Sequence, residues 1–134
     1  MTVKTDDEVA LMTMHLVEAE GRRRYLPLIA SLVAGVVCWT AMSMIFRVRE
    51  PWDADEYWTV AYPLALLLTA VLGFAFPARA WTASAIFIFA QLIVVIVRSE
   101  MGPLIGVGLL ILGLLSVPAG MTALAGAYLR RRFG

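Results

Sequence analysis

The side chains most able to do chemistry gather in one short stretch, which reads REPWDADEYW from Arg49 to Trp58. Asp53, Asp55 and Glu56 are clustered carboxylates, and Ca²⁺ takes roughly six to eight oxygen ligands of this kind. The stretch is too short for a calcium-binding loop of about twelve residues, and it lacks the central glycine of such a loop. We therefore expect no metal site. A short surface helix that begins at Asp53, with its carboxylates near the positive end of the helix dipole, is the simpler interpretation.

The same stretch is also a candidate docking surface for another protein. Its aromatic rings favour the headgroup region of a membrane, which explains them without a ligand. A second candidate surface lies before residue 25, where an apolar stripe recurs at three- and four-residue spacing. The docking candidates on the two surfaces are Met12, Leu16, Trp52, Asp53, Asp55, Glu56 and Trp58.

Residue types that carry catalysis are scarce in this chain. The only histidine is His15 and the only cysteine is Cys38, and neither has other metal ligands at a useful spacing. The apolar segments contain no axial histidine for a haem, and no base beside a serine nucleophile. No strand precedes Gly106 and Gly108 to form a phosphate-binding loop. The sequence predicts a protein that is not an enzyme and that binds no metal, no cofactor and no nucleic acid.

Composition predicts the class of protein. Hydrophobic residues make up 61% of the chain and charged residues 16%, which is typical of an integral membrane protein. A bilayer core about 30 Å thick needs roughly 20 apolar residues per helix. No charge lies between Leu26 and Phe46 or between Met101 and Leu129, and Arg79 beside Pro77 divides the apolar segment between them. The sequence predicts an all-α bundle of four transmembrane helices, at about 26–46, 59–76, 80–97 and 102–129.

The chain before the first span is predicted to be a separate element. Residues 1–24 are expected to form an amphipathic cytoplasmic helix with a basic boundary, followed by a transmembrane domain at 25–134. Thr5 and Glu8 fit a capping box at the start of this helix, and Gly21 supplies the expected stop. Anionic headgroups would repel the acids on its polar face, so we expect it to pack on its own bundle or on a partner.

Arginine placement predicts the orientation in the membrane. One side of the predicted membrane receives Arg22, Arg23, Arg24, Arg79, Arg130, Arg131 and Arg132. The other side receives Arg47, Arg49 and Arg98. Because short loops rich in Lys and Arg stay cytoplasmic, both termini are expected in the cytoplasm. Arginine far outnumbers lysine, which suits a GC-rich bacterial genome, and we expect a multi-pass protein of a bacterial inner membrane.

Small residues at regular spacing predict the contacts between helices. A seven-residue repeat in the fourth span favours left-handed crossing, with Gly108 off the repeat on the opposite face. The predicted packing residues are Gly106, Gly113, Ser116, Gly120 and Ala127 in the fourth span, Ser31, Ala34 and Cys38 in the first, and Ala65 and Gly73 in the second. Gln91 is the one strongly polar side chain at depth. We expect it to form an interhelical hydrogen bond rather than to line a pore.

Two functions stay open. Close packing without an ionisable group at depth favours a non-catalytic small membrane subunit that binds, stabilises or positions a larger membrane partner. In outline the predicted architecture resembles the small four-helix subunits of tripartite solute transporters, which accompany a larger permease, although none of their sequence motifs occurs here. The alternative is a small channel or carrier assembled from several copies, with Gln91 facing a shared pore. The expected partners are the lipid bilayer and either a larger membrane protein or further copies of the chain.

Overall fold

The computed structural model describes residues 5–47, 55–98, 102–103 and 105–134, and every regular element in these ranges is helical. The four α-helices are α1 (Asp6–Phe46), α2 (Tyr62–Ala75), α3 (Ala80–Arg98) and α4 (Ile105–Phe133). A π-helical turn at Tyr57–Ala61 leads into α2, and a 3-10 turn at Pro77–Arg79 leads into α3. The predicted all-α class is confirmed.

Within the described residues, four helical segments are long and apolar enough to cross a membrane, in agreement with the four predicted spans. They are Asp6–Phe46, Tyr57–Ala75, Pro77–Arg98 and Ile105–Phe133. Large apolar side chains such as Val37, Leu67 and Leu110 are exposed on their outer surfaces. Lipid chains are as apolar as these side chains, so such exposure is stable in a bilayer. The break between the second and third spans falls at Phe76 and Pro77, where the sequence predicts a turn.

Helix α1 is continuous, which corrects the prediction of a separate N-terminal helix that stops at Gly21. Gly21 lies inside α1, with helical residues on both sides. Glycine lowers helix propensity by roughly 1 kcal/mol, and the good helix formers around it outweigh that cost. The predicted capping box is also wrong, because Thr5 occupies the N-cap position without a side-chain hydrogen bond. The backbone N–H of Glu8 instead donates to the Thr5 carbonyl oxygen at 3.0 Å.

The length of α1 exceeds what a membrane requires. At about 1.5 Å per residue, its 41 residues extend roughly 60 Å, about twice the thickness of a bilayer core. Burial is confined to its second half, at Pro27, Ser31, Gly35, Trp39 and Ser43. Residues 5–20 are all exposed. The helix therefore packs through its second half, and its first half projects from the rest of the chain.

Helix α3 is the central helix of the packing. It contacts α1, α2 and α4, while α2 also contacts α4. Burial in the second span recurs every four residues, at Tyr57, Ala61, Ala65, Thr69 and Gly73. The buried positions of α1 follow the same interval. Small residues at four-residue spacing let neighbouring helix backbones approach closely.

The backbones of α2 and α4 approach each other closely at two glycines. A Cβ atom built on Gly73 would overlap the Ala123 carbonyl group, and one built on Gly126 would overlap the Ala70 carbonyl oxygen. The hydroxyl groups of Thr69 and Thr122 lie 2.8 Å apart between the same two helices. Glycine is therefore required at both positions for steric reasons.

The predicted seven-residue stripe of α4 is only partly buried. Gly120 and Ala127 are buried, but Gly106 is exposed and Gly113 half-buried, and a Cβ atom on either of these two glycines would meet no atom within 4 Å. Gly108, which the sequence placed on the opposite face, is buried. No neighbour for a Cβ atom on Gly106 or Gly113 is found among the described residues, so the packing role predicted for these two glycines stays a prediction. The packed face of α4 is the one that contacts α2 and α3. In the first half of α4 this face runs through Gly108, Leu112 and Leu115.

Candidate functional site

Four side chains form a buried cluster where α1, α3 and the start of the second span meet. Trp39, Tyr57, Phe87 and Gln91 are each at most 1% exposed. The Trp39 ring stacks on Tyr57 with centroids 5.9 Å apart, and it lies 6.0 Å from the Phe87 ring. Aromatic pairs of this kind contribute about 0.5–1.5 kcal/mol each beyond the area that they bury. The cluster therefore joins three helical segments at one end of the molecule.

The polar tips of two aromatic side chains join neighbouring helices. Trp39 Nε1–H donates to the Phe87 carbonyl oxygen at 3.0 Å, which links α1 to α3. Tyr62 Oη–H donates to the Leu115 carbonyl oxygen at 2.9 Å, which links α2 to α4. A polar group left unpaired in hydrocarbon costs several kcal/mol, so these bonds restrict the helices to one arrangement. Both side chains therefore serve to position neighbouring helices.

The π-helical turn places Tyr57 in the cluster. Pro63 lacks an N–H, and its ring would clash with the Thr59 carbonyl group in a regular α-helix. The wider turn avoids this clash, because the Tyr62 N–H bonds the Tyr57 carbonyl oxygen five residues earlier. The buried face of the turn then carries Tyr57 and Ala61. Proline thus explains the irregular entry into the second span.

Gln91 is the polar centre of the cluster. The Tyr57 hydroxyl donates to Gln91 Oε1 at 3.2 Å, which is the interhelical hydrogen bond that the sequence predicts for this amide. Gln91 Nε2 is buried without a hydrogen-bond partner among the described residues. An unpaired buried donor costs about 1–3 kcal/mol. Gln91 is fully buried inside the chain rather than on a surface that copies of the chain could share.

The acidic docking candidates lie beside this cluster. Asp55 and Glu56 are exposed residues of the helix that enters the second span, and the Thr59 hydroxyl donates to the Asp55 carbonyl oxygen at 3.1 Å. Trp58 is 49% exposed and meets the Tyr57 ring edge-on at 5.2 Å. Trp52, Asp53 and the helix start predicted at Asp53 lie outside the described residues.

The apolar docking candidates lie on the projecting half of α1. Met12 and Leu16 are 54% and 64% exposed. Charged residues on the same half include Glu18 and Glu20, which are also exposed. This half of the helix therefore presents both apolar and acidic side chains away from the packed core.

Residues with catalytic potential are dispersed. Within the described ranges, no group of three or more His, Cys, Asp or Glu side chains could hold a metal ion. His15 is exposed in the first half of α1, whereas the free thiol of Cys38 is half-buried in the second half. Hydroxyl groups donate within their own helices, as in Ser31 to Pro27, Ser84 to Trp81, Ser116 to Gly113 and Thr122 to Ala119. These bonds satisfy the hydroxyl groups within their own helices.

Arginines from both ends of the chain meet at the opposite end of the molecule. Arg131 Nη2 donates to the Pro77 carbonyl oxygen at 3.2 Å, and the Arg130 guanidinium lies 5.2 Å from the centroid of the Phe74 ring. Arg23 and Arg79 line one cavity at the same turn. The structure therefore gathers at one end several of the arginines that the sequence assigns to one side of the membrane.

The structure also assigns roles to residues that the sequence reasoning missed. Gly35 lies against Phe87 and Ala90 of α3, and Trp39 bonds the same helix one turn later. The sequence feature that could have identified Gly35 and Trp39 is their four-residue spacing from each other and from Ser31 and Ser43. Ala34 and Cys38, which the sequence placed on this face, are only half-buried beside it.

Comparisons of this chain with known protein families, with curated proteins and with solved structures find no match. The class of protein therefore follows from the helices themselves. Four segments long and apolar enough to cross a bilayer indicate a multi-pass membrane protein.

Proposed function

We propose that this chain is a non-catalytic subunit of a bacterial inner-membrane complex, where it binds and positions a larger membrane partner. The observation that carries this proposal is the projecting half of α1. Leu11, Met14, Leu16 and Val17 are 58–68% exposed there, on a segment with no buried residue before Gly21. Most helical stability in proteins comes from tertiary packing, and a binding partner would supply the packing that this half of α1 lacks.

The charges of this segment determine the environment in which it acts. Asp6, Asp7, Glu8, Glu18 and Glu20 exclude it from the hydrocarbon core, where an acid costs several kcal/mol. They also weaken its attraction to anionic headgroups. In this proposal the segment is a cytoplasmic extension of α1 beyond the membrane, and a protein surface covers its apolar side chains.

A second surface supports the same proposal inside the membrane. Gly106 and Gly113 are seven residues apart on α4, and a Cβ atom on either would meet nothing within 4 Å. Each glycine lowers helix propensity by about 1 kcal/mol, and no close approach of another described helix explains it. Small residues on an open helix face allow a neighbouring helix to approach closely. A transmembrane helix of the partner is the occupant that this face fits.

Orientation follows from the arginine-rich end. Arg23, Arg79 and Arg131 meet around the turn between the second and third spans. Because arginine-rich ends remain cytoplasmic, we propose that both termini and the projecting helix lie in the cytoplasm. The acids that begin the second span then face the other side.

Crosslinking tests this proposal in intact cells. A photoreactive side chain is placed at Leu16 on the projecting half of α1, at Gly113 on the open face of α4, and at the lipid-facing control position Val71. Val71 is 57% exposed on α2. We expect Leu16 and Gly113 to give adducts with the same foreign protein, and Val71 to give none with it. Adducts only with further copies of this chain would instead support a homo-oligomeric channel and would refute the subunit proposal.

A further inference from the structure

At the arginine-rich end, a cavity of about 210 Å³ lies between α1 and the turn that joins α2 to α3. Its lining comprises Arg23, Pro27, Phe76, Pro77, Ala78 and Arg79. Two arginine residues from segments distant in sequence thus line one cavity whose other residues are apolar. Such a combination of charge and apolar surface fits an amphiphilic anion.

Neighbouring structure adds positive potential to the cavity. Its turn leads directly into α3, a helix of 19 residues whose first turn contains no acid. The N-terminus of a helix carries about half a positive charge. Arg131 donates to the Pro77 carbonyl oxygen at the same turn. The cavity therefore lies where a helix dipole and three arginines meet.

No described carboxylate neutralises this charge. Among the residues that the structure describes, neither Arg23 nor Arg79 forms an ion pair. The acids nearest in sequence, Glu18 and Glu20, are exposed on the projecting half of α1. The two arginines are therefore open to an anion from outside the protein.

The position of the cavity relative to the bilayer favours a lipid over other anions. Arg23 lies just before the apolar segment that begins at Leu26, and Pro27, one turn further along α1, is buried. This boundary coincides with the headgroup layer when α1 crosses a bilayer. Guanidinium groups bind phosphate oxygens through paired N–H donors. We propose that the cavity binds the phosphate of an anionic phospholipid, with Arg23 and Arg79 as its charged ligands and Phe76 beside its glycerol.

The bound lipid has a mechanical consequence. Helix α1 packs mainly on α3, and its projecting first half ends near Arg23. A phosphate held between Arg23 and Arg79 would join the base of this half to the turn before α3. The lipid would thereby restrict the direction in which α1 projects.

Native mass spectrometry of the full-length chain in non-ionic detergent tests the site. The probes are phosphatidylglycerol and phosphatidylcholine with identical acyl chains, because the choline ammonium compensates its own phosphate. We expect the wild-type chain to retain phosphatidylglycerol about tenfold more than phosphatidylcholine, because the two cavity arginines would hold its phosphate through paired N–H donors. Arg23→Gln with Arg79→Gln should abolish this preference. Arg22→Gln with Arg132→Gln removes the same charge outside the cavity, where exposed charges are screened by salt, and should leave the preference within about twofold of wild type.

Single substitution and competition complete the test. Arg23 is exposed, so Arg23→Gln alone should preserve the fold and still lower the preference severalfold. An equal loss in the Arg22 and Arg132 control would show diffuse attraction and overturn the site. Absence of any preference in the wild-type chain would overturn it also. Displacement of the lipid by millimolar inorganic phosphate would mean that the cavity takes a free anion, and would overturn the assignment to a lipid.

Discussion

Replacement of single glycines by alanine should separate the packed face of α4 from its open face. Gly126 and Gly113 lie in the same helix, and each Gly→Ala change adds one methyl group. A Cβ atom on Gly126 overlaps the Ala70 carbonyl oxygen of α2, whereas one on Gly113 meets nothing within 4 Å. The two variants therefore share every change except the steric one.

The expected difference follows from two terms. Alanine raises helix propensity over glycine by about 1 kcal/mol at either position, so this term cancels between the variants. An extra methyl group in a tight contact typically costs about 1–3 kcal/mol. The atom that Gly126→Ala displaces belongs to the backbone, which cannot rotate away, so the upper part of this range applies. We expect Gly126→Ala to unfold with a free energy about 2–3 kcal/mol below that of Gly113→Ala.

Reversible unfolding in mixed micelles measures this difference. The chain is purified in a mild detergent and titrated with sodium dodecyl sulfate while helix content and tryptophan fluorescence are recorded. Gly73→Ala serves as a second packed variant, because its Cβ atom overlaps Ala123 from the other side of the same contact. Equal stability of the Gly126 and Gly113 variants would refute the close approach of α2 and α4. Stronger destabilisation by Gly113→Ala would instead support the packing face at seven-residue spacing that the sequence predicts for α4.

Two further predictions concern the aromatic cluster and the orientation. Tyr57→Phe leaves Gln91 Oε1 without its partner, as Gln91 Nε2 already is, and should destabilise the chain by about 0.6–2 kcal/mol, whereas adding Gln91→Leu should recover most of the loss in the same unfolding assay. A double variant less stable than the single one would contradict the pairing. For orientation, cysteines introduced at Asp55 and Gly134 of a Cys38→Ala chain should react with an impermeant maleimide from outside and from inside the cell respectively. Labelling of Gly134 from outside would reverse the orientation.

Much of the fold is predictable from the sequence because bilayer thickness imposes it. Long charge-free segments define the four spans, and the break at Pro77 follows from proline chemistry. The continuity of α1 through Gly21 was not predicted, since a single glycine lowers helix propensity without preventing a helix. A glycine such as Gly21 indicates where a helix can end, and the helix propensities of the surrounding residues determine whether it ends there.

The contact faces were harder to predict, because they depend on which helices meet and at what crossing angle. Gly106 and Gly113 carry the same small-residue signal as Gly120, yet only Gly120 meets a side chain of α3, the Trp81 ring. A seven-residue repeat fits any left-handed neighbour, whether it belongs to this chain or to another. Trp39 was missed for the opposite reason, since a large aromatic residue within a span is usually assigned to the lipid interface.

The mass of the complex released by gentle extraction tests the proposed function most directly. Membranes are solubilised in a mild detergent, and the intact assembly is weighed by native mass spectrometry beside one that carries Leu16→Asp. We expect this chain to be accompanied by a larger foreign membrane protein, and we expect Leu16→Asp on the projecting half of α1 to release that partner. A symmetric ring of this chain alone, or a foreign complex that Leu16→Asp leaves intact, would contradict the role proposed for that half of α1.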